Sequence, residues 1–244
     1  MDLSPEKVKE NWDRHLKIVD HFISSPRKEK VLELLNNLED KMVAAPASGK
    51  EHFHNAFIGG YIDHVNRVVQ CAVKTKQLWQ EMGATIDFTD EELVFAALFH
   101  DLGKIGNGEL EGYIPEYSDW HRKNQGSMFK PNPELDFMLI QDRSLYLLQK
   151  YGIEVSHKEY LAIRLHDGVY DHANKAYFIS YNPDSKFRTN IVYILHHADF
   201  LASKVEYDMW KASKSTSKVV ETDIKVKGKP VKSSTGLQQA LNNL

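Results

Sequence analysis

Histidine and aspartate side chains lie within, or at the ends of, several segments of this 244-residue sequence that are predicted to be helical. The residues concerned are His64, His100, Asp101, His166 and Asp199. An unpaired charge in apolar surroundings costs several kcal/mol, so such groups are normally paired or bound to a metal. Imidazole and carboxylate are ligands for Zn, Mn, Fe, Ni or Co, and carboxylate with water suits Mg or Mn. The pattern predicts a divalent metal site, or else core side chains that hydrogen-bond to one another.

The composition excludes several other kinds of chemistry. The single cysteine, Cys71, excludes an internal disulfide and a multi-cysteine zinc site, and it fits a reducing compartment. No apolar run approaches the ~18 residues of a transmembrane helix. The first residues lack the basic and apolar regions of a signal peptide. We therefore expect a cytoplasmic protein with no membrane partner.

Charge is distributed unevenly along the chain. There are 31 Lys and Arg against 34 Asp and Glu, a net charge of −3. Residues 211–244 contain seven lysines against Glu221 and Asp223 and carry +5, so residues 1–210 carry −8. General binding to a polyanion needs clustered Lys and Arg, which the acidic part lacks. Nucleic acid is therefore not the favoured partner.

Helical signals dominate the elements that must position the candidate ligands. Ser4-Pro5 and Ser25-Pro26 are typical helix starts, and two capping boxes, Thr89-x-x-Glu92 and Ser156-x-x-Glu159, begin two more helices. The predicted helices are a pair within 4–45, then about 60–82, 90–102, 132–151, 156–167 and 187–210. The segments 106–132 and 169–186 are irregular, the second being aromatic and either a short hairpin or a flap. Apart from that hairpin, almost no strand is predicted before residue 219.

We predict an all-α fold in three parts. Residues 1–50 form an N-terminal helical pair that packs on the core, and residues 51–210 form the domain that carries the site. Residues 211–244 are a basic tail. Within this tail, the weak alternation over 219–232 predicts either a small hairpin or a flexible segment.

Four segments, in order, resemble the HD superfamily of metal-dependent phosphohydrolases. Gly59–His64 resembles the Gly-Gly-x-x-x-His entry of many HD domains, and Ala96–Lys104 is close to the family's apolar-His-Asp-x-Gly-Lys signature. Ala162–His166 resembles the segment that leads to a later histidine, and His196–Ala202 resembles the closing segment with its metal aspartate. The resemblance covers about residues 54–205.

This resemblance implies an HD-domain helical bundle and a metal ligand set. The implied ligands are His64, His100, Asp101 and Asp199. A divalent transition metal (Mn, Fe, Co, Ni or Zn) or Mg would polarise a phosphoryl oxygen and lower the pKa of a bound water. Lys104, one turn past His100, would act with Asp101 in catalysis by stabilising phosphoryl charge. The alternative for Lys104 is a lysine placed favourably at a helix C-terminus.

Some HD enzymes bind two metals, and the counterpart of Asp101 then bridges them. The candidates for a second metal or a substrate contact are His121 and His166, with a structural role as the alternative. However, no histidine occurs between residues 122 and 156, where many relatives have one. We therefore predict one tight metal site and leave a second site open.

Other residues are candidates for substrate binding. His54 precedes His64 by ten residues and would contact phosphate, or else form a loop hydrogen bond. Arg122 and Lys123 would hold phosphate, or else are ordinary solvated charges. The aromatic residues Tyr170, Tyr177, Phe178 and Tyr181 form either a base-stacking wall or a packing cluster.

The predicted function is metal-dependent hydrolysis of a nucleotide or a related small phosphoester, with a small molecule as the partner. One alternative is an HD-type nuclease acting on single-stranded RNA or DNA, for which the +5 tail could recruit a strand. Another is a non-catalytic, nucleotide-binding sensor. The acidic body and the little room for a separate nucleic-acid-binding domain favour the first function over the nuclease. The pattern does not define an oligomeric state.

Overall fold

Helices dominate the part of the chain that the structure describes. This computed structural model describes residues 3–220, of which 216–220 are described by their backbone alone. The α-helices are α1 (Pro5–Phe22), α2 (Arg27–Ala44), α3 (Gly60–Glu81), α4 (Asp90–Phe99), α5 (Asp119–Gln125), α6 (Ile140–Lys150), α7 (His157–Leu165), α8 (Lys175–Phe178) and α9 (Ile191–Val220). Two short strands, β1 (Tyr113–Pro115) and β2 (Phe129–Pro131), pair antiparallel. The predicted all-α class is confirmed.

Local polar caps explain why several helices begin where the sequence predicts. The Ser4 hydroxyl caps α1. Thr89 and Glu92 form a complete capping box at α4, and Ser156 and Glu159 form another at α7. Each capping side chain satisfies backbone N–H groups that have no partner within the helix. These helix starts are therefore encoded locally.

Helix α6 begins later than predicted. The sequence predicts a helix from Asn132, whereas α6 starts at Ile140. The Asn132 side chain closes a turn with a backbone N–H two residues further on. The Arg143 guanidinium donates to the carbonyls of Asp136 and Met138 at 3.0 and 3.3 Å. These bonds hold the connection before α6 in turns, so the predicted helix start at 132 is wrong.

Three other segments also differ from the predictions. The loop predicted over 106–132 contains α5, β1 and β2, and three-residue strands are too short to show alternation. The segment 169–186 contains two 3₁₀ turns, the first beginning at Gly168, and α8, and it forms no strand, so of its two predicted forms the hairpin is wrong. Helix α9 continues ten residues beyond the predicted end at 210. Of the hairpin or tail predicted for 219–232, the first two residues belong to α9 and the rest lies outside the described residues.

Helix α4 lies at the centre of the core. Every residue from Leu93 to Phe99 is buried, because α4 packs between α3 and α7. The N-terminal pair α1 and α2 packs on α3, and α6 packs on α7 and on the 3₁₀ turn Leu102–Ile105. One compact unit extends through Lys211, and Ala212 belongs to a second unit. No described helix combines the length and apolarity that a bilayer crossing requires.

Candidate metal centre

Two helix ends direct histidine side chains to the same place. His100 is the C-cap residue of α4, and His166 is the C-cap residue of α7. Each ring donates from Nδ1 to the carbonyl oxygen three residues earlier, Ala97 at 2.9 Å and Ile163 at 2.8 Å. Carbonyls in the last turn of a helix have no partner within it, so the imidazole satisfies one of them. These bonds leave both Nε2 atoms free to face the centre of the protein.

Two further helices complete the cluster. His64 lies on α3, and its Nε2 is 3.1 Å from Oδ1 of Asp199 on α9 and 3.5 Å from Oδ2 of Asp101. The His100 Nε2 is 3.3 Å from the same oxygen of Asp101 and 3.9 Å from Oδ1 of Asp199. Both Nε2 atoms are buried and make no hydrogen bond to any described residue. The Nε2 atoms of His64 and His100 therefore lie close to the carboxylates without a hydrogen bond to them.

The donor set fits a divalent metal ion. Two groups of three side chains each offer ligand atoms that lie within 4.8 Å of one another: His64, His100 and Asp101, and His100, His166 and Asp199. Imidazole nitrogen with carboxylate oxygen is a common donor set for Zn, Mn, Fe, Co and Ni. A buried Nε2 without a hydrogen bond is costly unless something binds it. The cluster could therefore hold a metal, and the geometry does not specify which one.

Helix α9 also contributes a buried carboxylate that is not among the predicted site residues. The Glu206 carboxylate accepts hydrogen bonds from His64 Nδ1 at 3.0 and 3.2 Å and from Arg67 Nε at 3.1 Å. Arg67 also pairs with Asp63 at 3.1 Å. Because a carboxylate only accepts, Nδ1 of His64 carries a proton, and in the neutral ring the Nε2 lone pair faces the cluster. The sequence feature that could have indicated Glu206 is its spacing, because it lies two turns after Asp199 on the same face of the helix.

The carboxylates dominate the electrostatics of the cluster. Burial alone would lower the pKa of His64, but Glu206 and the two cluster aspartates raise this pKa well above its ordinary value. Burial opposes protonation of His166 as well, yet Asp167, Asp101 and Asp199 together raise its pKa to about 9. Such a site attracts cations, and a metal ion would compete with these protons.

Lys104 lies beside the cluster. Its Nζ is 2.6 Å from Oδ2 of Asp101, and its side chain is largely buried. Burial would lower the pKa of Lys104, but the Asp101 carboxylate raises it above its ordinary value. In turn, Lys104 and His100 outweigh burial and hold the pKa of Asp101 well below its usual range. The result is a fixed ammonium group next to the predicted metal ligands.

His54 is the predicted substrate contact that the structure brings to the cluster. Its ring centroid is 4.7 Å from that of His64, and its Nε2 is buried without a hydrogen bond to the described residues. Burial, and then the charges of Lys104 and His64, hold the pKa of His54 well below its ordinary value. His54 therefore presents a neutral imidazole to the site.

The other three predicted residues lie elsewhere, on α5. His121 Nδ1 is 3.4 Å from a carboxylate oxygen of Glu116, and both Arg122 and Lys123 are exposed. None of the three lines the cavity that contains the cluster, as far as the described residues define it. The structure does not bring them to the metal ligands, and their predicted roles stay predictions.

A cavity of about 740 Å³ opens onto the cluster. Asp101, Lys104, His166 and Asp199 form its polar part. Exposed aromatic side chains form much of the remaining wall; these are Phe53, Tyr170, Phe200 and Tyr207. The cavity therefore joins a buried polar centre to an accessible aromatic surface.

No family model, curated protein or solved structure matches this chain. The fold and site together define a helical protein with a buried His/Asp cluster that could bind a metal.

Proposed function

We propose that this protein is a metal-dependent phosphohydrolase of the HD type that cleaves a phosphate ester of a nucleotide or a related small phosphoester with a metal-activated water. One observation carries the proposal: three buried ligands and one partly buried ligand, Asp199, come together from α3, the end of α4 and α9, and the Nε2 atoms of the two histidines make no hydrogen bond to the described residues. The ligands are His64, His100, Asp101 and Asp199.

The chain supplies three groups for such a reaction. A divalent metal, when bound, contributes Lewis-acid polarisation of phosphate and lowers the pKa of water. Lys104 holds an ammonium group 2.6 Å from Asp101, and from there it stabilises negative charge that develops on a phosphoryl oxygen. His166 lines the cavity with its Nε2 3.6 Å from Oδ1 of Asp101, and from there it contacts the substrate or a second metal ion. His54 stays neutral and contacts the phosphate.

The net charge of the chain favours a small substrate over a nucleic-acid strand. Residues 1–210 carry −8, which disfavours extended contact with a polyanion. The cavity itself contains positive charge, because Lys104 and Lys204 both line it. A small anion would meet these cations without crossing a long acidic surface.

The test is a metal-supplemented hydrolysis screen. Metal-free protein receives Mn, Mg, Co, Ni, Fe or Zn in turn and is offered nucleotides, cyclic nucleotides, sugar phosphates and short oligonucleotides. We expect turnover of at least one small phosphoester and a loss of more than about 100-fold in Asp101→Ala. Asp40→Ala, on the exposed face of α2, is the matched control and retains activity. Equal inactivity of wild type and Asp101→Ala on every substrate would refute the proposal.

A further inference from the structure

The cavity extends well beyond the metal cluster along one face of α9. Asp199, Ser203 and Tyr207 follow one another at four-residue intervals, and all three line the cavity. A helix rises 1.5 Å per residue, so this face extends about 12 Å from the cluster. A phosphate at the cluster would therefore leave space along α9 for the remainder of a larger substrate.

Two aromatic rings form a platform beside this face. The rings of Tyr170 and Phe200 are parallel within 10°, with centroids 6.3 Å apart. Tyr170 is 71% exposed and Phe200 is 41% exposed, although both line the cavity. Their separation is within the range of offset aromatic stacking, and an exposed ring face can accept a further planar ring.

The backbone holds this platform close to the cluster. Gly168 adopts a left-handed conformation (φ +56°), and a Cβ there would lie 2.5 Å from the His196 ring. His196 donates from Nδ1 to the carbonyl oxygen of His166 at 2.6 Å. Tyr170, two residues after Gly168, is thereby tied to both α9 and the end of α7. Its position beside the metal ligands follows from the local packing.

The side chain of Lys204 places a positive charge beside the Phe200 ring. The Lys204 ammonium lies 5.0 Å from the Phe200 ring centroid and also lines the cavity. Lys104 is paired with Asp101, but Lys204 has no carboxylate oxygen within 4 Å in the described part of the chain. An aromatic face with an adjacent cation favours a planar, electron-rich ring attached to an anion.

We propose that Tyr170, Phe200 and Lys204 form a nucleobase subsite, so that the substrates are free nucleotides and not phosphoesters without a base. This proposal rests on the proposed function for the identity of the scissile group. The base stacks on the Tyr170–Phe200 platform while the phosphate lies at the cluster. Stacking on an aromatic side chain contributes about 1–3 kcal/mol per base, which corresponds to about 5- to 150-fold in affinity.

The experiment measures binding to metal-free protein, so that hydrolysis does not interfere. Dissociation constants of the nucleoside monophosphates and of ribose 5-phosphate are measured by calorimetry. We expect at least one nucleotide to bind about 5-fold or more tightly than ribose 5-phosphate. Tyr170→Ala should abolish this preference, and Tyr170→Phe, which keeps the ring, should retain it. Tyr181→Ala is the matched control, because Tyr181 is fully exposed and does not line the cavity.

The outcomes separate this proposal from the proposed function. Equal affinity for nucleotides and ribose 5-phosphate overturns the subsite, and so does an equal loss of both in Tyr170→Ala. A preference confined to short oligonucleotides also overturns it, because the occupant would then be a strand. A ring-dependent nucleotide preference supports the subsite even if the hydrolysis screen finds no turnover, a result that would refute the proposed function alone.

Discussion

Replacing Glu206 by glutamine removes a negative charge behind His64 while the size of the side chain stays almost the same. One carboxylate oxygen accepts from His64 Nδ1 and the other from Arg67 Nε, at 3.0 and 3.1 Å. A glutamine keeps one acceptor oxygen, which at the Oε1 position lies 3.2 Å from His64 Nδ1 and 3.1 Å from Arg67 Nε. Its NH₂ group replaces the oxygen that lies nearest to His64 Nδ1, so the 3.0 Å bond from His64 is lost together with the negative charge. A hydrogen bond to a charged group contributes about 1.5–3 kcal/mol. Loss of a partner behind a metal ligand typically lowers metal affinity by about 10- to 100-fold, or about 1.4–2.7 kcal/mol.

The assay is titration of metal-free protein with Co²⁺ or Zn²⁺ against a competing chelator, with the Co²⁺ absorption spectrum as a second readout. Glu159→Gln is the matched control, because Glu159 is also fully buried and also pairs with an arginine, Arg27, at 2.7 Å. We expect both variants to lower thermal stability and only Glu206→Gln to weaken metal binding. If both variants bind metal within about 2-fold of wild type, the reasoning about His64 is wrong.

Two further predictions concern stability. Gly168→Ala places a methyl group against the His196 ring and forces an L-residue into the left-handed region. We therefore expect denaturant titration to show a loss of about 1–3 kcal/mol of unfolding free energy. A change below about 0.5 kcal/mol would contradict this. Burial lowers the pKa of His15 to about 4, against 6.5 in the unfolded chain, although its bond to Asn66 opposes the shift. The unfolded state then binds more protons between these pH values, so His15 lowers the unfolding free energy by about 2 kcal/mol between pH 7 and 5. His15→Gln should show a smaller loss over this range than wild type, and parallel pH curves for the two proteins would refute the assignment.

The helices that the sequence predicts well are those with local signals. The capping boxes at Thr89 and Ser156 lie within four residues of the helices that they begin, so short patterns are sufficient. The start of α6 depends on Arg143, which reaches back to carbonyls five and seven residues earlier. Such a bond forms only after the chain has folded back, and no periodicity reveals it.

The candidate site shows the same division between local and distant information. His100 and Asp101 lie at a helix end that composition and glycine placement indicate. The role of Glu206 depends on the packing of α3 against α9, because its partner His64 is 142 residues away in sequence. No local pattern around Glu206 indicates this contact. Conversely, His121 lies in a polar loop by composition, yet it extends from α5, outside the cavity lining as far as the described residues define it.

The cluster joins parts of the chain that are far apart in sequence. His64 comes from the third helix, and Asp199 and Glu206 come from the ninth. Closing a loop of this length carries an entropic cost that only the docked helices offset. If α9 were undocked, His64 would keep Asp101 and lack Asp199 and Glu206, and the cluster would offer an ion an incomplete set of donors. Tight ion binding would then require that α9 is docked. A bound ion would act as a reversible cross-link between α3 and α9 and would stabilise the folded state.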